Sequence, residues 1–212
     1  MQSENIIFGT NKHPNLAVIV PVTSIKFLLA QNTTMIDILR TMKGYIQIYT
    51  GNGKGKTTAA LGLTLRAAGA EKKVLFAQFV KGQIYSEIKA LQQFIPSVEI
   101  RQYGLARFIR NTPAQEDIDT ARKGLQEVSD MILSGEYDIV VLDEANIAIY
   151  YKLFSAGELI EVLKQKPDKT EIIITGRYAV PELIAVADLV TEMKEVKHYY
   201  NQGVHARIGI ES

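Results

Sequence analysis

The 212-residue chain contains no cysteine. That absence excludes disulfides, thiolate metal sites and cysteine nucleophiles, and it suits a reducing cytoplasm. Its 3 histidines are widely spaced and form no recognisable metal-binding pattern. Charge of one sign is hardly in excess. A net charge of +1 gives no strong global field for nucleic acid or a membrane surface. No basic, aromatic-laced stretch supports nucleic-acid binding. Long apolar runs are missing too. Residues 16–30 come nearest, but Pro21 and Lys26 interrupt them, and no basic stretch precedes them as in a signal peptide. A short strand or a buried amphipathic piece is expected there. There is no internal repeat and no low-complexity tract.

What is present describes a globular chain. Hydrophobic residues make up 47% and charged residues 22%, in a length that fits one domain with a real core. A break falls near Met42, so residues 1–41 are read as an N-terminal extension and 42–212 as the globular domain. Strands are expected at 45–49, 74–79, 98–102, 139–142 and 171–175, with a final core strand at 189–193 and a short one within 206–210. Between them lie expected helices at 56–68 (with Gly69 as C-cap), 86–94 (with Ser86 as N-cap), 113–133, 155–166 and 181–187. Strands separated by helices imply right-handed crossovers and a mostly parallel α/β sheet flanked by helices. In such sheets ligands bind beyond the carboxyl ends of the strands.

Two motifs fall at such ends. The first is Gly51-Asn52-Gly53-Lys54-Gly55-Lys56-Thr57-Thr58. It follows a strand and opens a helix, as a phosphate loop must. Its glycines let the backbone turn sharply, and its N–H groups with the helix N-terminus form an anion nest. Lys56 supplies a mobile charge to the terminal phosphates, and the Thr57 hydroxyl can bind magnesium. The common pattern has its first glycine five residues before the Gly-Lys-Thr glycine; here that position is Thr50, and Gly51 comes one later. The loop is therefore a variant. The second motif is Ile139-Val140-Val141-Leu142-Asp143-Glu144, an apolar strand ending in two carboxylates. A carboxylate at such a tip holds magnesium directly or through water, and either Asp143 or Glu144 suits.

The loop closely resembles that of the P-loop ATP:corrinoid adenosyltransferases, acting on cob(I)alamin or cob(I)yrinic acid a,c-diamide. Further segments carry the likeness in the same order: Ala77-Gln78-Phe79-Val80-Lys81-Gly82, Leu142-Asp143-Glu144, Thr175-Gly176-Arg177, Ala187-Asp188-Leu189-Val190-Thr191-Glu192-Met193, Val196-Lys197-His198 and Gly209-Ile210-Glu211. It covers residues 43–212. The resemblance implies a RecA-like P-loop fold, a homodimer, and ATP lying across the loop in an unusual orientation. It also implies adenosyl transfer from ATP to the Co(I) of a reduced corrinoid, with release of triphosphate. Magnesium and a flavoprotein or other reductase belong to that picture, and nucleic acid and membrane do not. Lys54, Lys56, Glu144 and Arg177 are the expected catalytic groups. Gln78, Lys81, Lys197 and His198 are expected to contact nucleotide or corrinoid.

By resemblance, an apolar or aromatic wedge strips the lower axial ligand of the corrinoid. The chain has no tryptophan for this role. In the corresponding stretch, residues 102–110, Phe108 is the first candidate and Tyr103 the second, with ordinary packing as the alternative for both. Rival functions are another RecA-like P-loop ATPase, and a non-catalytic nucleotide- or corrinoid-binding regulator. The extension is expected to be either an upstream addition or a cap on the nucleotide site or dimer.

Overall fold

The computed structural model describes residues 5–10, 13–21, 43–107, 109 and 112–211. The chain divides into two compact units, 1–43 and 44–212. In the first, β1 (Asn5–Thr10) pairs antiparallel with β2 (His13–Pro21), with a register irregularity between Gly9 and Thr10. β2 covers the first part of the apolar run beginning at residue 16; residues 22–30 lie outside the described residues.

The second unit is an α/β layer structure. Its strands are β3 (Ile46–Thr50), β4 (Val74–Phe79), β5 (Val98–Tyr103), β6 (Ile139–Asp143), β7 (Glu171–Thr175) and β8 (Leu189–Glu192). They form one sheet in the order β5-β4-β6-β7-β3-β8, and every pairing is parallel. This is the expected fold class, and it is consistent with a RecA-like P-loop domain. β7 stands between the loop strand β3 and the acidic strand β6.

Strand residues alternate between two helical layers, because side chains along a strand point to opposite faces. Val74, Phe76, Val141 and Ile173 pack with Ala60 and Ala67 of α1 (Lys56–Gly69) and with Ile88 and Leu91 of α2 (Ser86–Phe94). Leu75, Ala77, Phe79, Val140, Leu142, Ile172 and Ile174 face the other way. They meet Ala121, Leu125, Val128 and Ile132 of α3 (Gln115–Leu133) and Leu159 and Leu163 of α5 (Ala156–Lys164). Phe76, Phe79 and Leu142 are fully buried; each such side chain stabilises the fold by about 1.5–3 kcal/mol relative to exposure.

Local signals explain most boundaries. Ser155 caps α5, accepting from the Glu158 N–H at 3.2 Å while its own N–H donates to the Glu158 carboxylate at 2.7 Å. At α3, Ala114 N–H donates to Asp117 at 2.8 Å, so the helix begins two residues after the expected Pro113. Ser86 is the first residue of α2 and Tyr85 is its cap. Gly69 is the last residue of α1, with Ala70 as C-cap.

Three departures are larger. A short helix, α4 (Ala145–Tyr150), follows the acidic pair directly, where no helix was expected. Its cap is Glu144, held in a left-handed conformation at φ 59°, which no local residue preference announces. β8 is not a core strand: it is an edge strand that, among the described strands, bonds to β3 alone, and all its residues are exposed. Residues 206–210 form no strand. The segment instead turns back on itself, with Ile210 and Glu211 N–H both donating to Arg207 O and Gly209 at φ 78°. The remaining helix, α6 (Pro181–Val186), starts on its proline as expected.

Gly124 in the middle of α3 gives a sign test of this packing. Alanine normally stabilises a helix relative to glycine by about 1 kcal/mol. Here a Cβ at Gly124 would lie 2.3 Å from the Tyr103 ring. Gly124→Ala is therefore expected to lower stability by about 1–3 kcal/mol. A thermal melt reads this directly, and an unchanged or raised Tm would contradict it.

Candidate active site

The phosphate loop connects β3 to α1. Gly55 caps α1 at φ 119°, a conformation that favours glycine. The loop is braced from β8: Met193 N–H donates to Thr50 O at 2.8 Å, and Gly53 N–H donates to Met193 O at 2.6 Å. Lys56 is 9% exposed, and its ammonium donates to Gly51 O at 2.8 Å and Gly53 O at 2.7 Å. It is thus curled inside the loop with carbonyl partners. Burial lowers its pKa, Arg177 adds to the lowering, and Glu144 opposes it. Asn52, Lys54 and Thr58 are exposed, and Thr57 is half-buried.

Asp143 is the hub of the site. It is fully buried. Its Oδ1 accepts from Thr57 Oγ1 at 2.8 Å and from Thr175 Oγ1 at 2.6 Å. Its Oδ2 accepts from Gln78 Nε2 at 2.8 Å and pairs with Lys81 Nζ at 3.4 Å. The ends of β4, β6 and β7 and the start of α1 therefore converge on one carboxylate. Gln102 at the end of β5 extends the chain by donating to Gln78 Oε1 at 2.9 Å. Glu144 has less: its carboxylate pairs with Lys81 at 3.3 Å, and its N–H donates to Thr175 Oγ1 at 3.0 Å. Burial raises the Glu144 pKa, and Lys81 opposes the rise. For Lys81, burial alone would lower the pKa, but Asp143 and Glu144 outweigh it and hold the ammonium above its ordinary value.

Lys81 reaches these carboxylates through a strained turn. Val80 has φ 66°, and Lys81 N–H donates to Phe79 O at 2.7 Å. A β-branched residue rarely adopts this γ-turn geometry. Beside it, the loops after β4 and β5 form a small, solvent-open depression lined by Lys81, Gln83, Tyr85, Leu105 and Arg107 among others.

The structure sorts the remaining sequence-predicted residues. Tyr103 is a core residue, 7% exposed, packed on Phe79 and donating its hydroxyl to Glu127 at 3.0 Å. Burial against Phe79 is the packing role weighed for it as the alternative. Phe108 lies outside the described residues. Arg177 is exposed just beyond β7, near enough to Lys56 to depress its pKa. Lys197 is exposed, and His198 accepts the Tyr200 N–H at 3.0 Å as cap of the short 3-10 helix Tyr199–Gln202. Neither is brought to the Asp143 hub. Lys54 does not turn into the loop: its ammonium is held by Ile210 O at 2.7 Å and Glu211 at 3.0 Å.

Sequence reasoning missed Thr175 as a hub partner, although its place at the tip of an apolar strand was a usable signal. It also missed Asn146, whose Nδ2 donates to Gly176 O at 3.1 Å. Its Oδ1 is the one buried side-chain polar atom without a partner among the described residues. Among the described residues no helix is long and apolar enough to cross a membrane. No group of three or more His, Cys, Asp or Glu side chains is placed to hold a metal ion there.

Comparison with known proteins places this geometry. Residues 42–212 match the family described as ATP:corrinoid adenosyltransferase BtuR/CobO/CobP. The corrinoid adenosyltransferase of Escherichia coli (strain K12) is 35% identical over 170 residues, covering 80% of this chain and 86% of that protein. The corrinoid adenosyltransferase of Sinorhizobium sp is 34% identical over 172 residues, covering 80% of each. The corrinoid adenosyltransferase CobA of Salmonella typhimurium is 35% identical over 172 residues, covering 80% of this chain and 86% of the relative. The matched span contains the loop, the acidic strand end and the strand tips that meet at Asp143, and the chain belongs to the ATP:corrinoid adenosyltransferase family.

Proposed function

We propose that the protein transfers the 5′-deoxyadenosyl group of ATP to the Co(I) of a reduced corrinoid and releases triphosphate. The observation that carries this reading is the family match across the loop and the Asp143 hub together. The chemistry asks little of the protein as a nucleophile. Co(I) provides both electrons of the new cobalt–carbon bond at C5′, and the C5′–O bond breaks with its electrons leaving on triphosphate. The chain's task is to orient C5′ in line between cobalt and triphosphate and to neutralise the charge of the leaving group. Lys56 and the loop N–H groups do the second. Arg177, exposed beyond β7 and close in charge to Lys56, is placed to meet the same polyphosphate.

The oxygen donors at the tip of β6 fit magnesium, which prefers hard oxygen ligands. Thr57 Oγ1 and Glu144 are the residues assigned to hold it. Asp143 engages both its oxygens with Thr57, Thr175, Gln78 and Lys81, so it serves chiefly to aim Thr57. When bound, magnesium supplies positive charge to the polyphosphate. The adjoining depression beside Lys81 and Tyr85 is assigned to the edge of the corrinoid. Cobalamin and an earlier corrinoid both suit this reading, as do a reductase supplier, a homodimeric state and a cytoplasmic setting.

The test uses the full chain with ATP, magnesium and chemically reduced cobalamin. The corrinoid spectrum and the phosphate product are followed together. Triphosphate with a light-sensitive cobalt–carbon product is expected. Orthophosphate with an unchanged corrinoid would instead mark a P-loop ATPase, and no turnover with tight nucleotide binding would mark a regulator.

A further inference from the structure

Residues 199–211 end on a carboxylate surrounded by donors. Glu211 Oε1 accepts from Lys54 Nζ at 3.0 Å, from Arg207 Nη2 at 3.2 Å and from the Tyr199 hydroxyl. Its Oε2 accepts from Arg207 N–H at 2.9 Å and Arg207 Nε at 3.3 Å. Lys54 also meets Tyr199 OH at 3.4 Å, and Arg207 lies over the Tyr199 ring at 5.1 Å. Two cations, a phenol and a backbone N–H therefore aim at one anion. Few apolar contacts hold this segment, since Ile208 is 90% and Ile210 56% exposed. The Arg207 contact, above all, holds the Glu211 carboxyl well below the usual carboxylate range, with Tyr199 and Lys54 adding to the effect.

This cradle borders the phosphate loop, because Lys54 stands between Gly53 and Gly55 and turns outward to meet Glu211. An Arg fork beside an ammonium takes a phosphate oxyanion as readily as a carboxylate. We propose that Glu211 is a resident anion in a phosphate-binding site made by Lys54, Arg207 and Tyr199, and that it competes there with the leaving triphosphate and promotes its release. This rests on the adenosyl-transfer reading. Cleavage at C5′ converts a bridging ester oxygen into a free oxyanion, so the product is a stronger anion than the tail it came from. A loop built only of donors would retain it. A tethered carboxylate that returns to the same donors gives the product a competitor at fixed, high local concentration.

Calorimetric titration of the full-length protein with inorganic triphosphate tests the proposal, with orthophosphate as a control probe. Glu211→Gln keeps the side-chain shape and removes the charge. It is expected to bind triphosphate about tenfold more tightly, the scale of one charge-assisted hydrogen bond. Its steady-state kcat should fall, with a burst of the first turnover, while KM for ATP does not rise. Arg207→Met should bind triphosphate no more tightly than wild type, because the cradle itself is damaged. Equal or weaker triphosphate binding by Glu211→Gln, with an unchanged thermal melt, overturns the proposal and leaves Glu211 as a clasp. A melt lowered by Glu211→Gln shifts the decision to Arg207→Met, where tighter triphosphate binding overturns it. If wild type releases orthophosphate and no triphosphate, the adenosyl-transfer reading fails instead, and the titration still decides whether the cradle binds polyphosphate.

Discussion

Lys56→Met is expected to lower kcat/KM for adenosyl transfer by roughly 10³-fold, equivalent to about 4 kcal/mol of transition-state stabilisation. The fold should survive. Among the described residues Lys56 bonds only to the carbonyls of Gly51 and Gly53, so its loss strands no buried carboxylate there, and methionine fills most of its volume. The expected stability change is about 1 kcal/mol. What disappears is the positive charge that, on the adenosyl-transfer reading, leaves the Gly51 and Gly53 carbonyls to meet the departing triphosphate. The same residue sets a pH limit. Burial and Arg177 lower its pKa below the ordinary lysine value of 10.5, and kcat/KM reports ionisations of the free enzyme. The alkaline limb of kcat/KM should therefore begin below that value, as the ammonium loses its proton. Lys56→Arg cannot deprotonate in this range and should flatten the limb, even if its activity is low. A limb unmoved in Lys56→Arg would assign the ionisation to another group.

Asp143→Ala is expected to damage both fold and reaction. Removing a fully buried carboxylate leaves Thr57, Thr175, Gln78 and Lys81 without their shared acceptor. Breaking such a buried pair costs about 3–5 kcal/mol, which for a domain of this size lowers Tm on the order of 10 °C. Activity at a temperature where the variant is folded should also fall, because Thr57 loses the partner that aims it. The Lys81 charge is part of the cost. Lys81→Met added to Asp143→Ala should therefore recover part of the lost stability, a coupling read from a double-mutant cycle. Strict additivity would mean that Lys81 draws its compensation from Glu144 alone.

The parts legible in the sequence were those written in local patterns. The apolar runs 74–79 and 171–175 match β4 and β7 residue for residue, because strands buried on both faces need continuous hydrophobic stretches. The loop and the acidic strand end were legible for the same reason: each is a contiguous motif at a strand tip. The geometry between them was not. Thr175 is distant in sequence from Asp143 and meets it only because β6 and β7 are neighbours. The positive φ of Val80 and Glu144 contradicts their residue types, so tertiary contacts impose it. The edge position of β8 was missed because Leu189 and Val190 read as core residues; pattern alone does not reveal how many neighbours a strand has. Lys54 shows the limit most clearly. Its place in a glycine-rich loop suggested phosphate, while its partner Glu211 lies at the far end of the chain.

The placement of β7 between β3 and β6 sets a length scale. Neighbouring strands lie about 4.8 Å apart, so the two strand tips bearing the loop and the acidic pair are separated by roughly 10 Å. Thr57 at the start of α1 closes that gap, its hydroxyl lying 2.8 Å from Asp143. The order of the strands thus makes Thr175, at the tip of the intervening β7, the floor on which the loop and the acidic pair meet, since its hydroxyl shares the same carboxylate oxygen.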